Sequence, residues 1–230
     1  MNEIIRKRKS IRKYDMEPLD AATLEMVQEQ IQKVKPLYSG IRYSIEITNK
    51  TKGLFNIKAP HYIVFRSEAK DGAEENIGFI GQQLDLLLPE AGLGTCWLGA
   101  SKPMEDFDPV LQPVICMSFG KPGEPLYREH SEFKRKALSE ISEGTDERLE
   151  AARLAPSGMN LQGWYFISEN GKIHCYRKKS LLSFKDIMAR IDMGIAIYHI
   201  AAESKEFQFV KEANAPVRKG YAYSGTVSQG

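Results

Sequence analysis

Ala155-Pro156-Ser157-Gly158-Met159-Asn160-Leu161-Gln162-Gly163-Trp164-Tyr165-Phe166 is the stretch on which the reading of the whole chain turns. Proline ends a helix, small polar residues then reverse the chain, and an aromatic run enters a strand. Upstream, Thr145 is placed to cap that helix, with Asp146 and Glu147 in its first turn beside the positive helix end. Downstream, Trp164 to Ser168 and Ile173 to Lys178 flank Asn170-Gly171, the strongest short hairpin signal. A long apolar helix is expected from about Phe184 to Ser204. The tail is expected to add an edge strand through Tyr221 to Val227, or to act as a swapped arm.

The first part of the chain runs through a similar succession. Leu24, Val27, Ile31 and Val34 recur at helical spacing after Asp20, which can cap the helix start. Ser44 to Thr48 and His61 to Ser67 read as strands. Ile77, Ile80, Leu84, Leu87 and Leu88 mark a helix that stops near Ala91-Gly92. Val114 to Gly120 is a further strand, and Pro122, Gly123 and Pro125 break the pattern. Similar basic phrases introduce the two parts, RKSI at 8–11 and RKAL at 135–138. We therefore expect an α+β protein of two pseudo-symmetric halves, residues 1–140 and 141–230, with mixed sheets packed between helices.

Four segments offer chemistry. In Arg8-Lys9-Ser10-Ile11-Arg12-Lys13-Tyr14, alternate residues of an extended chain share one side. Arg8, Ser10 and Arg12 could thus converge on one phosphate, for which planar guanidinium groups are suited. A solvated basic arm has the same composition. Gly92 to Gly99 (GLGTCWLG) lets backbone approach a flat ligand, and fits equally a helix stop before a buried strand. Asn160 and Gln162 in the opening stretch offer both donors and acceptors, as the pyrimidine edge of a flavin requires. An ordinary helix-to-strand turn would look alike. Phe133 to Leu138, with Arg135, could bring a second set of cations or be an exposed linker.

Together the segments resemble the FMN-dependent nitroreductase family. Its Arg-Arg-Ser-x-Arg-x-aromatic phrase is matched by Arg8 to Tyr14. Its Ala-Pro-Ser-x-x-Asn-x-Gln-Pro-Trp phrase is matched by Ala155 to Trp164, with Gly163 in place of proline. Its Gly-Leu-Gly-Thr-Cys-Trp-Ile-Gly phrase is matched by Gly92 to Gly99. Gly120 to Pro122 and the later Arg135-Lys136 match its closing Gly-x-Pro and basic cluster. The order differs, because the Pro-Ser phrase comes last here, as in a tandem-duplicated branch of the family.

The resemblance implies a nitroreductase-like fold and an FMN-dependent oxidoreductase. NADH or NADPH would be the donor, and a nitroaromatic or quinone-like small molecule the acceptor. The implied cofactor residues are Arg8, Lys9, Ser10, Arg12, Trp97, Leu98, Gly99, Arg135, Pro156, Ser157, Asn160 and Gln162. No acid–base side chain is assigned. Family members are usually homodimers with FMN at the interface, so the halves would mimic two subunits, giving a monomer or a weak homodimer. Residues 36–43 lack the Pro-Ser phrase, which leaves one expected FMN per chain. A non-catalytic FMN-binding or storage protein, or another FMN chemistry on this fold, is the alternative.

Composition narrows the field further. A hydrophobic share of 42% and a charged share of 27% are ordinary for a globule, and a net charge of +2 gives no nucleic-acid bias. No apolar run reaches a membrane-spanning length, and the start is not a secretory signal. Cys96, Cys116 and Cys175 lie far apart without a CxxC pair, which fits reduced thiols in the cytoplasm. The histidines show no metal-binding spacing.

Overall fold

The computed structural model describes residues 3–53, 57–104 and 108–228. A short helix α1 (Glu3–Lys7) leads into an extended basic segment and α2 (Ala21–Lys33). Asp20 caps α2 as expected, accepting the Thr23 N–H at 2.8 Å. Strands β1 (Tyr43–Thr48), β2 (Thr51–Gly53) and β3 (His61–Ser67) precede the long α3 (Ala73–Glu90). Then come β4 (Gly94–Leu98), β5 (Ser101–Pro103) and β6 (Gln112–Gly120). α4 (Leu138–Ile141) spans the expected boundary between the halves, and β7 (Ser142–Glu143), α5 (Arg148–Leu154), β8 (Trp164–Glu169) and β9 (Lys172–Lys178) follow. The chain closes with α6 (Ser183–Ala201), β10 (Gln208–Val210) and β11 (Tyr221–Ser228).

Local chemistry explains the turns. Gly92 takes φ +77° after α3, with its N–H on Pro89 O and the Leu93 N–H on Leu88 O. This paired arrangement satisfies the last carbonyls of a helix and favours glycine. Asn170 and Gly171 both have positive φ, the turn that matches the twist of the β8–β9 hairpin. At α5 the start differs from the expectation. Asp146, not Thr145, accepts the Arg148 N–H at 2.9 Å, because its charged carboxylate stands one residue nearer the first free amides.

β2 and β5 pair as a separate antiparallel ribbon, and the two larger sheets share one topology. The first runs β1-β3-β6-β4, and the second runs β8-β9-β11-β10 with β7 added outside β8. Pairing is antiparallel throughout, except that β7 joins β8 in parallel. Only the second sheet is therefore mixed. The tail is not an edge strand: β11 lies inside its sheet between β9 and β10 of the same chain. Buried Ser224, Gly225, Thr226 and Val227 explain why it is covered.

Helices α3 and α6 cross at the centre. A Cβ on Gly78 would collide with the Ile191 carbonyl, and one on Gly194 with the Glu75 carbonyl. Each glycine thus lies against the residue three positions before the other, which is the relation a two-fold pseudo-symmetry requires. The close approach fuses the halves around one core that includes Ile77, Ile80, Ile195 and Ile197.

Candidate functional site

The basic segment at 8–14 is pinned as a strand-like arm. Arg8 bridges Tyr127, Tyr14 bridges Pro122, and the Ile11 N–H donates to Thr95 O at 2.8 Å. Ile11 is fully buried, whereas Arg12 is exposed. Arg8 goes inward, with Nη2 donating to Ser10 Oγ at 3.2 Å. Its Nε stands 3.0 Å from Asp85 Oδ2, an ion pair whose N–H points too obliquely for a hydrogen bond. Arg12 turns back to Ser10 O at 3.5 Å, so these three residues come together. Lys9 does not join them. Its ammonium lies 3.4 Å from Glu124, whose other oxygen accepts the Arg12 and Lys13 amides and fixes the arm.

Arg135 arrives from the connecting segment. Its Nη1 donates to Asn160 Oδ1 at 2.6 Å and its Nη2 to Leu154 O at 3.2 Å. Arg128 and Arg135 both lie over the Phe133 ring, at 4.8 and 5.5 Å from its centre. Burial, then the neighbouring Arg8, Arg128 and Arg153 charges, push the Arg135 guanidinium down to about 10. Burial and Arg8 also lower Arg128. The Nε atoms of Arg8, Arg128 and Arg135 are buried without a hydrogen-bond partner. Among the described residues, none of Arg12, Arg128 and Arg135 has a carboxylate at ion-pair distance. Cations gathered this way are destabilised by mutual repulsion, which a dianion such as a phosphate relieves. Arg128 was missed from sequence, although Tyr127-Arg128 stands just beyond the Gly120-Pro122 break.

The turn at 156–162 faces this cluster. Pro156 is buried, Ser157 Oγ accepts the Gln162 N–H at 3.0 Å, and Met159, Asn160 and Gln162 all have positive φ. Three non-glycine residues in that region are costly, and they persist where surrounding bonds over-determine them. Those bonds are present. The Lys136 N–H donates to Gln162 Oε1 at 2.8 Å, and Asn160 Nδ2 donates to Lys134 O at 2.7 Å. The amides of Asn160 and Gln162 thus hold the Lys134–Lys136 segment, and with it Arg135. On the other side, the Gly158 N–H is shared by both oxygens of Asp192 on α6, at 3.0 and 3.2 Å.

One turn earlier on α6, Met188 meets the other half. A Cβ on Gly99 would lie 3.0 Å from its sulfur. Leu98 is buried beside Ile11 and Cys96. Trp97 is half-buried, stacks on Phe65 at 5.7 Å, and donates its indole N–H to Gln82 Oε1 at 3.2 Å. Gln82 Nε2 donates to Asp85 Oδ2 at 3.0 Å and faces His199 Nε2 at 3.1 Å. His199 Nδ1 faces Ala151 O at 2.8 Å. Burial first, then the Arg8 and Arg135 charges, push His199 down to about 3. The ring is therefore neutral, with its proton on Nδ1 and Nε2 accepting from Gln82. Thr95 Oγ1 donates to the other Asp85 oxygen at 2.5 Å.

These contacts form one chain. From Arg8 they pass through Asp85, Gln82, Trp97 and Gly99 to Met188, then along α6 to Asp192 and through Gly158 and Asn160 to Arg135. Both ends of the chain are cationic, and the Arg8 charge lowers Arg135 across the space between them. Its middle is backbone and apolar, between the end of β4 and the 156–160 turn. Asp85, Gln82, Asp192 and His199 carried no sequence signal, since each reads as a polar residue in an apolar helix. Among the described residues no group of three or more His, Cys, Asp and Glu could hold a metal ion. No helix among them is long and apolar enough to cross a membrane.

The family model described as "Putative TM nitroreductase" matches residues 1–204. A nitroreductase structure from Thermotoga maritima is similar, with a TM-score of 0.66 and 22% identity, covering 99% of this chain and 92% of its own. This likeness shows the fold. A nitroreductase family protein from Clostridium difficile has 18% identity and a TM-score of 0.48, covering 61% of this chain and 96% of its own. An FMN-dependent nitroreductase from the same species has 20% identity and a TM-score of 0.46, covering 58% and 95%. A search of curated proteins finds no match. With the family model spanning most of its length, the chain belongs to this nitroreductase family of oxidoreductases.

Proposed function

We propose that this chain of contacts frames a site that binds one FMN and that the protein passes electrons from NADH or NADPH to a small nitroaromatic or quinone-like acceptor. The observation that carries this reading is the set of buried, unpartnered Nε atoms on Arg8, Arg128 and Arg135. Arg8 meets Ser10, Arg128 and Arg135 share the Phe133 ring, and Arg135 is bonded to the strained turn of the other half. A phosphate there is held by Arg8, Ser10, Arg12, Arg128 and Arg135. The isoalloxazine falls to the backbone of Trp97, Leu98 and Gly99 on one side and of Pro156, Ser157 and Gly158 on the other.

When bound, the flavin supplies the hydride and electron chemistry, and the protein supplies binding and electrostatics. Arg8 and Arg135 offset phosphate charge through charge-assisted bonds, which are stronger than neutral ones. Asn160 and Gln162 fix the approach of Arg135 by locking the 134–136 segment. Lys9 keeps the arm in place through Glu124. Glycine at 99 lets its backbone approach a planar ring once the flexible Met188 side chain gives way.

A single site per chain follows from what fills the equivalent place. The segment before β1 carries Tyr38, whose ring meets Phe209 edge-on at 5.9 Å. Both walls come from one chain, so a monomer suffices. Anaerobic stopped-flow mixing of the flavin-loaded protein with NADH and NADPH tests the reading. Loss of the oxidised flavin absorbance with either donor, and its recovery on adding a quinone, is expected. Failure with both donors would remove the nicotinamide-dependent activity and leave a flavin-binding protein.

A further inference from the structure

The pseudo-symmetry exposes one residue that the two halves use differently. Asp192 stands two residues before Gly194 on α6, and Asn76 stands two residues before Gly78 on α3. Both accept a backbone N–H from the segment that precedes β1 or its counterpart β8. Asn76 Oδ1 takes the Tyr38 N–H at 2.9 Å, and the Asp192 carboxylate takes the Gly158 N–H at 3.0 and 3.2 Å. The position is neutral in the half where Tyr38 and Phe209 fill the space. It is ionisable in the half that contributes to the candidate site.

We propose that Asp192 is a positioning residue whose ionised carboxylate clamps the Gly158 N–H, fixing the Ser157–Gln162 turn for the cofactor, and whose protonation loosens that clamp. The flavin part of this inference rests on the function proposed above; the clamp itself does not. A charge-assisted bond from a buried amide is about twice as strong as a neutral one. Both oxygens share that single donor, so nothing else offsets the buried charge. The turn needs such a hold, because its three non-glycine residues with positive φ cannot sustain themselves. Through Asn160 the same hold reaches Arg135 at one cationic end.

The neighbouring charges leave Asp192 to itself. On α6, Asp186 and Arg190 pair with each other and Arg177 pairs with Asp186. On α3, Glu75 accepts from Ser224 and Tyr38. On the 156–160 turn the contacting group is the Gly158 amide. Burial pushes the Asp192 carboxyl up to about 7, and the Gly158 N–H opposes that shift. The clamp therefore changes strength near neutrality. The protonated acid should resemble asparagine at the same place, as Asn76 illustrates.

Two measurements on full-length protein test this, with the wild type, Asp192→Asn and Asp192→Ala. The first is hydrogen exchange of the 157–162 amides without flavin. At pH 8, exchange in Asp192→Asn should be about fivefold faster than in the wild type, and in Asp192→Ala faster still. At pH 5.5 the wild type and Asp192→Asn should match. The second is FMN affinity by flavin fluorescence. The wild type should bind about fivefold more tightly than Asp192→Asn at pH 8 and equally at pH 5.5. Comparison at each pH cancels the titration of the phosphate itself.

A wild-type to Asp192→Asn exchange ratio that stays constant over this range would overturn the proposal, whatever the flavin does. If exchange behaves as expected but no variant binds FMN, the clamp stands and the flavin reading fails. Should Asp192→Ala not fold, the asparagine variant alone decides.

Discussion

Arg135 and Asn160 are joined by a 2.6 Å hydrogen bond between the segment connecting the halves and the strained turn of the second half. The bond links a cation that faces Arg8 to the backbone proposed to lie beside the flavin ring. Removing the cation should act mainly on the phosphate, because the Asn160–Lys134 and Gln162–Lys136 bonds still hold the turn. Arg135→Ala is expected to weaken FMN binding about 10- to 100-fold, the loss of a charged hydrogen bond worth about 1.5–3 kcal/mol. Riboflavin affinity, measured by the same fluorescence titration, should change little. An equal loss for both ligands would place Arg135 away from the phosphate.

Asp85 is a second point of leverage. It is fully buried against Arg8, and it also receives Gln82 and Thr95. Asp85→Ala leaves a buried guanidinium without its counter-charge, a change that costs about 3–5 kcal/mol. Urea unfolding should show that loss in the absence of flavin. Phosphate or FMN should restore part of it by supplying the missing negative charge.

The central helix crossing gives a steric prediction. Gly78→Ala and Gly194→Ala each drive a methyl into a backbone carbonyl, which no side-chain rotation relieves. Overpacking of this kind costs about 1–3 kcal/mol. Thermal unfolding should report a similar loss for each glycine, because the two contacts are pseudo-symmetric. A neutral result at one of them would show that the helices can separate there.

Acid should act on His199 and Asp192 in opposite senses. His199 is held near 3, far below its ordinary 6.5. The unfolded chain takes up that proton first, so stability falls as pH drops from about 6.5 toward 3, by up to about 1.4 kcal/mol per pH unit. Asp192 is raised to about 7, so its folded form takes up a proton first, and stability rises as pH falls from about 7 toward 4. In an Asp192→Asn background the acid loss should therefore steepen. Adding His199→Gln should flatten it. Melting temperatures between pH 7 and 5 check both signs.

Much of the fold was legible because it rests on local patterns. The Asn170-Gly171 hairpin, the Asp20 cap and the Gly92 stop each need only a few adjacent residues. The place of β11 was not legible. Its sequence, Tyr221 to Ser228, is polar and glycine-containing like an edge, and only pairing with β10 on its far side covers it. The site divides in the same way. The converging Arg8, Ser10 and Arg12 could be read from alternation and motif. The work of Asp85, Gln82, His199 and Asp192 depends on which helix faces meet across the two halves, and no spacing in one segment encodes that.

The most direct test is the flavin content of the purified protein, read from its visible spectrum and from titration with FMN. The expected result is a yellow protein, or an apoprotein that takes up FMN, saturating at one FMN per chain. A colourless protein that takes up no FMN would contradict the proposed site, and saturation at two would contradict the filling of its pseudo-symmetric counterpart by Tyr38 and Phe209.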